Sequence, residues 1–230
     1  MAENVAVIIP AFNEAESISS VVSELRTAGN ERVIVVDGGS SDGTPEIARA
    51  AAAEALPVGR GYGLACLKGA EAAADADILV FMDGDGADDP SFIPALIGPI
   101  QRGERDFVIG SRVRGNSAPG SMSWHQKLAG LIFGFAAKFV CGQRYTDMCA
   151  FRAIRRATLL SLGMREMTYG WNLEMQLRAG RAGLRILEVP VDNRHRIGGV
   201  SKVSGSLRGT WKAGTRIIGA FGRFTVSGAR

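Results

Sequence analysis

With 230 residues, 46% of them hydrophobic and 22% charged, the chain has the composition of a soluble globular protein able to bury a substantial core. Cys66, Cys141 and Cys149 form no disulfide framework and lack zinc-like spacing, which fits a reducing cytosol. The start Met1-Ala-Glu-Asn-Val5 has no basic n-region, so no signal peptide is expected. The net charge of +4 is unevenly spread: all 23 acidic residues lie in 1–192 beside 19 of the 27 Lys/Arg, whereas 193–230 carry eight Lys/Arg and no acid. A basic end on an acidic body predicts an anionic partner, either a surface or a substrate.

Val5–Pro10 reads as a buried strand, followed by a polar turn and a helix from about Glu16 to Ala28. Val33–Val36 is a second strand, running into Asp37-Gly-Gly-Ser-Ser-Asp-Gly-Thr44. Pro45 suits a first helical turn and predicts a helix to about Ala55. Gly61–Asp75 begins as a loop and becomes a helix; Ile78–Met82 and Phe107–Ile109 are strands. Short apolar strands between helical crossovers favour a mostly parallel sheet. Gly110–Met122 is a Gly/Ser/Arg-rich loop dividing the chain into two halves. Trp124–Val140 reads as an apolar helix, then come Asp147–Ile154, a helix near Trp171–Ala179 and a strand at Leu184–Val189. Residues 192–206 are basic and glycine-rich, and are expected to be mobile before substrate binds.

In the final stretch Leu207, Trp211, Gly214, Ile217, Ile218 and Phe221 would cover about 120° of a helix face, opposite Arg208, Lys212, Arg216 and Arg223. Such a helix would lie on an anionic bilayer or dock on the protein's own body. Leu128–Ala137, the longest notable uncharged apolar run, is about half a membrane span.

The most informative segment is Phe81-Met-Asp-Gly-Asp-Gly-Ala-Asp-Asp-Pro90, four carboxylates directly after an apolar strand. In a doubly wound fold, ligands sit beyond the carboxyl ends of the strands. A calcium loop of the EF-hand type needs Gly at its sixth position and Glu at its twelfth, yet counting from Asp83 these are Asp88 and Pro94. An Asp-x-Asp phosphatase of the haloacid-dehalogenase type fits Phe81–Gly86 in part but leaves Asp37–Thr44 without a role. A nucleotide-sugar transferase, whose carboxylates hold a metal on a diphosphate, accommodates both segments. Nucleic-acid binding is not expected, because no aromatic platform accompanies the basic tail.

Ile9-Pro-Ala-Phe-Asn-Glu14, Val36–Thr44 and Asp83-Gly-Asp85 together resemble the inverting GT-A glycosyltransferases of family 2. Ser111-Arg112, Thr146-Asp147, Phe151–Arg156, Tyr169–Glu174, Glu188-Val-Pro190 and Ser201–Gly205 resemble its dolichyl/polyprenyl-phosphate sugar transferase branch. The resemblance implies one α/β GT-A domain over 1–230 with a Rossmann-like, mostly parallel sheet flanked by helices. A nucleotide-sugar half at 1–115 would be followed by an acceptor half at 116–206 and a basic amphipathic helix and tail at 207–230. It further implies a nucleotide pocket lined by Pro10, Ala11, Asn13, Glu14, Asp37, Lys68 and Asp83-Gly84-Asp85, with Mg²⁺ or Mn²⁺ on Asp83 and Asp85. Asn13 also suits a helix cap, Asp42 a turn organiser, Lys68 a surface residue and Asp89 a cap before Pro90. Relatives often carry Gln at the position of Ala87, so water, Asp88 or Asp89 would complete the metal shell.

Arg112, Arg114, Arg194, Arg196 and Lys202 are candidates for phosphate and acceptor binding, since guanidinium forks match phosphate oxygens. Trp171 would stack on sugar or lipid or fill the core. A hydroxyl acceptor requires a general base, for which Asp147 and Glu174 are candidates; a lipid phosphate does not. The expectation is hexose transfer from GDP-mannose or UDP-glucose to a polyprenyl phosphate, with peripheral membrane contact or a membrane partner at the cytoplasmic face. The alternatives are a soluble transferase with a small hydroxyl or phosphorylated acceptor, and a non-catalytic nucleotide-sugar binder.

Overall fold

The computed structural model describes residues 3–118 and 124–198. Seven strands build one sheet: β1 (Val5–Ala11), β2 (Val33–Asp37), β3 (Glu54–Pro57), β4 (Ile78–Phe81), β5 (Phe107–Ser111), β6 (Arg152–Arg155) and β7 (Ile186–Pro190). Their order is β3-β2-β1-β4-β6-β5-β7, and every neighbouring pair is parallel except those that β6 makes with β4 and β5. The sequence dictates this burial. Val5–Ile9, Val33–Val36 and Ile78–Phe81 are apolar on both faces, as strands covered by helices on both sides must be.

Seven helices accompany the sheet among the described residues: α1 (Ile18–Thr27), α2 (Thr44–Ala50), α3 (Tyr62–Ala72), α4 (Ile93–Gln101), α5 (Trp124–Cys141), α6 (Arg156–Ser161) and α7 (Trp171–Arg181). Helix α3 lies very close to the sheet because Gly69 has no side chain; a Cβ there would stand 2.4 Å from Ile8 Cγ2 and 3.0 Å from Val36 Cγ2. None of the described helices is long and apolar enough to cross a membrane. Helix α5 does leave Leu131, Phe135 and Phe139 exposed, with the two phenyl rings edge-to-face at 5.1 Å.

The mostly parallel α/β sheet matches the expected architecture, with three local differences. The helix predicted to reach about Ala55 stops at Ala50, where Ala52 takes a positive φ of 68° and turns the chain into edge strand β3. Edge pairing with β2 overrides the helix propensity of the alanine run. Helix α4 was not predicted beyond its start, where Asp89, offered as a cap before Pro90, does cap a 3₁₀ turn over Pro90–Phe92 that leads into it. Residues 192–198 are packed against the acidic loop instead of standing free. Lys202 and the amphipathic stretch 207–221 lie outside the described residues.

The strand order places the topological switch between β1 and β4: β1 connects outward to β2, and the chain returns from β3 to the other side of β1. Crevices at such points receive ligands in open α/β sheets. Ala11 and the acidic loop after Phe81 flank this one.

Candidate active site

On one side of the switch point the β1 and β2 loops are laced together. The Gly38 N–H donates to the Ala11 carbonyl at 2.8 Å, Asn13 N–H to Ser40 Oγ at 2.8 Å, and Ser41 N–H to Asn13 Oδ1 at 2.9 Å. Asn13 holds a left-handed φ of 52° and bridges two loops; the N-cap position of α1 belongs to Ser17. Asp37, 3% exposed, accepts the Gly39 and Ser40 N–H groups and so shapes its own glycine-rich turn. Asp42 does the same for the next turn, accepting from Ala15 N–H at 3.0 Å and Thr44 N–H at 3.1 Å. The Arg60 guanidinium stacks 4.1 Å from the centre of the Phe12 ring in the loop after β1. Pro10 and Ala11 end β1 beside it, whereas Lys68 is exposed on α3 and pairs with Glu71 at 2.7 Å.

On the other side stands the acidic loop. Ser17 donates to the Gly84 carbonyl at 2.8 Å, tying the start of α1 to the turn. Asp83 is half-buried, and its N–H donates to Asp88 Oδ2 at 3.0 Å. Burial, then the Asp85 and Asp88 carboxylates, push the Asp83 carboxyl up to about 8. Burial, with Asp85 close by, pushes Asp88 up to about 6 despite the hydrogen bond it accepts from Asp83. Clustered hard oxygen donors that resist ionisation together are a chemistry that suits Mg²⁺ or Mn²⁺. No group of three His, Cys, Asp or Glu encloses a cation among the described residues. Such an ion would therefore rest on one or two carboxylates and complete its shell with phosphate oxygens and water. At position 87 it is the backbone that makes the contacts: Ala87 N–H donates to Asp85 Oδ1 and its carbonyl accepts from Arg194 N–H, both at 2.9 Å. Asp89 caps Ser91 N–H at 2.9 Å and pairs with Arg194 at 2.7 Å.

The β5 end contributes Arg112. Its Nε and Nη2 each lie 2.8 Å from a different oxygen of Asp147, and its own N–H donates to Asp147 Oδ2 at 3.1 Å. Both Asp147 oxygens are thus engaged, with Oδ1 also accepting from Met148 N–H. Glu188 holds this loop in turn, accepting from Thr146 N–H at 2.8 Å and Thr146 Oγ1 at 3.0 Å. Glu174 is buried and accepts from the Arg165 and Glu166 N–H groups and from Arg178 Nε at 2.7 Å. Both carboxylates, offered as bases by the sequence, are held by an arginine and by backbone N–H groups. Trp171 is fully buried, so it fills the core, and Arg114 donates to the Glu188 carbonyl at 3.0 Å. Arg196 Nη2 sits 2.9 Å from Asp85 Oδ2. Sequence reasoning missed the roles of Glu188 and Arg60: the Glu188-Val-Pro190 motif gives its carboxylate no task of its own, and Arg60 lacks any local pattern.

A family model described as glycosyl transferase family 2 matches residues 6–163, which span β1 through α6 and the acidic loop. The chain belongs to glycosyl transferase family 2. Family-2 relatives include glycosyltransferase AglJ of Haloferax volcanii, 32% identical over 81% of this chain and 61% of that protein. The chain therefore spans less than two thirds of that relative. The undecaprenyl-phosphate mannosyltransferase of Micrococcus luteus is 34% identical over 89% of each chain. Among solved structures, glucosyl-3-phosphoglycerate synthase of Mycobacterium tuberculosis, in complex with Mn²⁺, UDP-glucose and phosphoglyceric acid, superposes with a TM-score of 0.77 at 23% identity. That match covers 97% of this chain and 80% of the other. The GT-A α/β fold and the glycosyltransferase class follow, and Mn²⁺ in that structure agrees with the expected divalent cation.

Placement in the dolichyl/polyprenyl-phosphate branch is corrected. The same fold, over almost the whole chain, is found in an enzyme solved with phosphoglyceric acid, so the fold does not bring a lipid acceptor with it. In the structure the family motifs supply the lacing of the β1 and β2 loops and the Arg112–Asp147 clamp.

Proposed function

We propose that this family-2 enzyme transfers a hexose, with inversion, from a nucleoside diphosphate hexose such as UDP-glucose to a small phosphorylated acceptor. The observation that carries the reading is the acidic loop after β4 with arginines around it: Arg196 pairs with Asp85 and Arg194 with Asp89, while Arg112, held by Asp147, and Arg196 are the positive charges that act on Asp83. The acidic side suits a cation and the basic side suits phosphates.

In this reading Pro10, Ala11, Asn13, Glu14 and Asp37 line the nucleoside pocket, and Gly84 lets the acidic turn approach the donor. Asp83 and Asp85 hold Mg²⁺ or Mn²⁺, whose chemistry when bound is neutralisation of charge on the departing diphosphate. Arg112, pre-oriented by Asp147, presents a fixed guanidinium to phosphate oxygens, which lowers the reorganisation needed as charge moves. Asp147 and Glu174 act as positioning residues, and catalysis rests on alignment and charge compensation. The acceptor is small and phosphorylated because the fold is shared with an enzyme solved with phosphoglyceric acid, and because a fixed arginine beside the acidic loop suits a compact anion.

The test is a transfer assay with UDP-glucose and GDP-mannose against phosphoglyceric acid and a short-chain polyprenyl phosphate, with Mn²⁺, Mg²⁺ or chelator. Chelator-sensitive product with phosphoglyceric acid supports the reading. Product with the polyprenyl phosphate alone, or undiminished by chelator, overturns it.

A further inference from the structure

The Arg196 guanidinium lies against Asp85, one of the two carboxylates proposed above to hold the divalent cation. Asp85 is 3% exposed; its Oδ1 accepts the Ala87 N–H, and its Oδ2 is covered by Arg196 Nη2 at 2.9 Å. Backbone contacts fix the approach. Ile197 N–H donates to the Asp85 carbonyl and Arg194 N–H to the Ala87 carbonyl, both at 2.9 Å, while Asn193 forms an antiparallel bridge with Asp88. Arg194 anchors the segment further through Asp89 and Glu24, each at 2.7 Å. Close packing over glycines completes the strap: a Cβ on Gly86 would stand 2.5 Å from Ile197 Cδ1, and one on Gly198 would stand 2.4 Å from Glu16 Oε2. The strap is thus fitted between the acidic loop and the start of α1, and of its two guanidiniums Arg194 lands on Asp89 and Arg196 on Asp85.

We propose that Arg196 is the resident counter-charge of Asp85, exchanged for the divalent cation when donor binds and passed to the donor diphosphate. This rests on the proposed function. A buried carboxylate beside other acids needs a positive partner in every state, and the strap supplies one when no cation is bound. A cation arriving alone must displace Arg196 and leave it without an anion. When a nucleoside diphosphate arrives too, the freed guanidinium gains phosphate oxygens that match its fork. The exchange therefore couples the two ligands: each binds more tightly in the presence of the other, by the same factor.

The experiment measures Mn²⁺ binding to the full chain by electron paramagnetic resonance, with and without UDP, for wild type, R196Q, R196K and D85N. Thermal melts check that each variant is folded; Arg196 has a 41% exposed side chain and leaves no buried gap when replaced. R196Q should bind Mn²⁺ alone about two- to fivefold more tightly than wild type, the scale of a lost partly exposed ion pair, and R196K should fall between them. UDP should then tighten Mn²⁺ binding less in R196Q than in wild type. Unchanged or weaker Mn²⁺ binding in R196Q overturns the exchange. Equal Mn²⁺ affinity in wild type and D85N overturns the metal site itself, and with it the reading on which the exchange rests.

Discussion

Arg112 and Asp147 form a two-pronged clamp, with Arg112 Nε and Nη2 each 2.8 Å from a separate carboxylate oxygen and the Arg112 N–H closing a third bond. Asp147 is 4% exposed, so the pair is made where water competes weakly. The geometry fixes the plane of the guanidinium, and that plane is what a phosphate reads. Asp147→Asn keeps the shape but removes the charge and one acceptor. It should cost about 1–3 kcal/mol of stability and slow transfer by about 10- to 100-fold through misplacement of Arg112. If Asp147 only positions, the pH profile of the residual activity keeps the wild-type acidic limb. Loss of that limb would make Asp147 a proton acceptor after all.

Glu174 makes a contrasting case. It accepts two backbone N–H groups, of Arg165 and Glu166, and pairs with Arg178 one helical turn on at 2.7 Å. Glu174→Ala takes the acceptor from both backbone donors and the carboxylate from half-buried Arg178, and should destabilise the fold by about 3 kcal/mol. At a temperature where the variant is folded, the pH dependence of transfer should match wild type. Urea melts and pH–rate profiles on one preparation separate the two effects, and a stable variant with a shifted profile would refute the positioning role.

The sheet was legible because its strands are short apolar runs that end in glycine-rich or acidic turns. Val33–Asp37 followed by Gly38-Gly39 and Ile78–Phe81 followed by Asp83-Gly84 both announce a strand leading to a ligand loop. The candidate residues after β1, β2 and β4 were legible for the same reason, since each lies next to its own strand. What was not legible is partnership across the chain. Arg112 is 35 residues from Asp147, and Glu188 reaches back 42 residues to Thr146. Nothing local in the sequence distinguishes a carboxylate free to take a proton from one held by a distant arginine. Antiparallel β6 was hidden similarly: the sequence gives Asp147–Ile154 no clear element type, yet Arg152 within it is fully buried and held by the carbonyls of Cys149, Ala150 and Asn172.

The acidic loop predicts a pH-dependent stability whose sign is opposite to that of an ion-paired acid. The Asp83 carboxyl is raised to about 8 and Asp88 to about 6, both above their unfolded values near 4. Between pH 4 and 8 the unfolded chain therefore binds fewer protons than the folded one, and stability from these groups is full below about pH 4 and lost as pH rises to about 8. Divalent cation binding reverses this, since it favours the deprotonated carboxylates. The rise in melting temperature caused by Mn²⁺ should be larger at pH 8 than at pH 5.5. An equal rise at both, measured in matched buffers, would show that these carboxyls do not contact the cation.

Gly63 predicts a cost of packing that backbone conformation alone does not create. A Cβ at Gly63 would lie 2.2 Å from the Glu166 carbonyl oxygen and 2.9 Å from Met167 Cα, so α3 and the 166–168 loop would have to part. Both obstacles are backbone atoms, which cannot rotate away as a side-chain end can. Leu64 N–H donates to the Met167 carbonyl at 3.0 Å, and this bond would be stretched in the same movement. Gly142 offers the control: it has a positive φ of 74° and nothing within 4 Å of the place a methyl would take, so alanine there meets strain without a clash. Gly63→Ala should lose about 2–3 kcal/mol by overpacking, and Gly142→Ala about 1 kcal/mol from the left-handed backbone. Urea unfolding of the two variants gives the comparison directly. Equal losses would mean that the loop at 166–168 yields freely, and that α3 is not held against it by the absence of a side chain at Gly63.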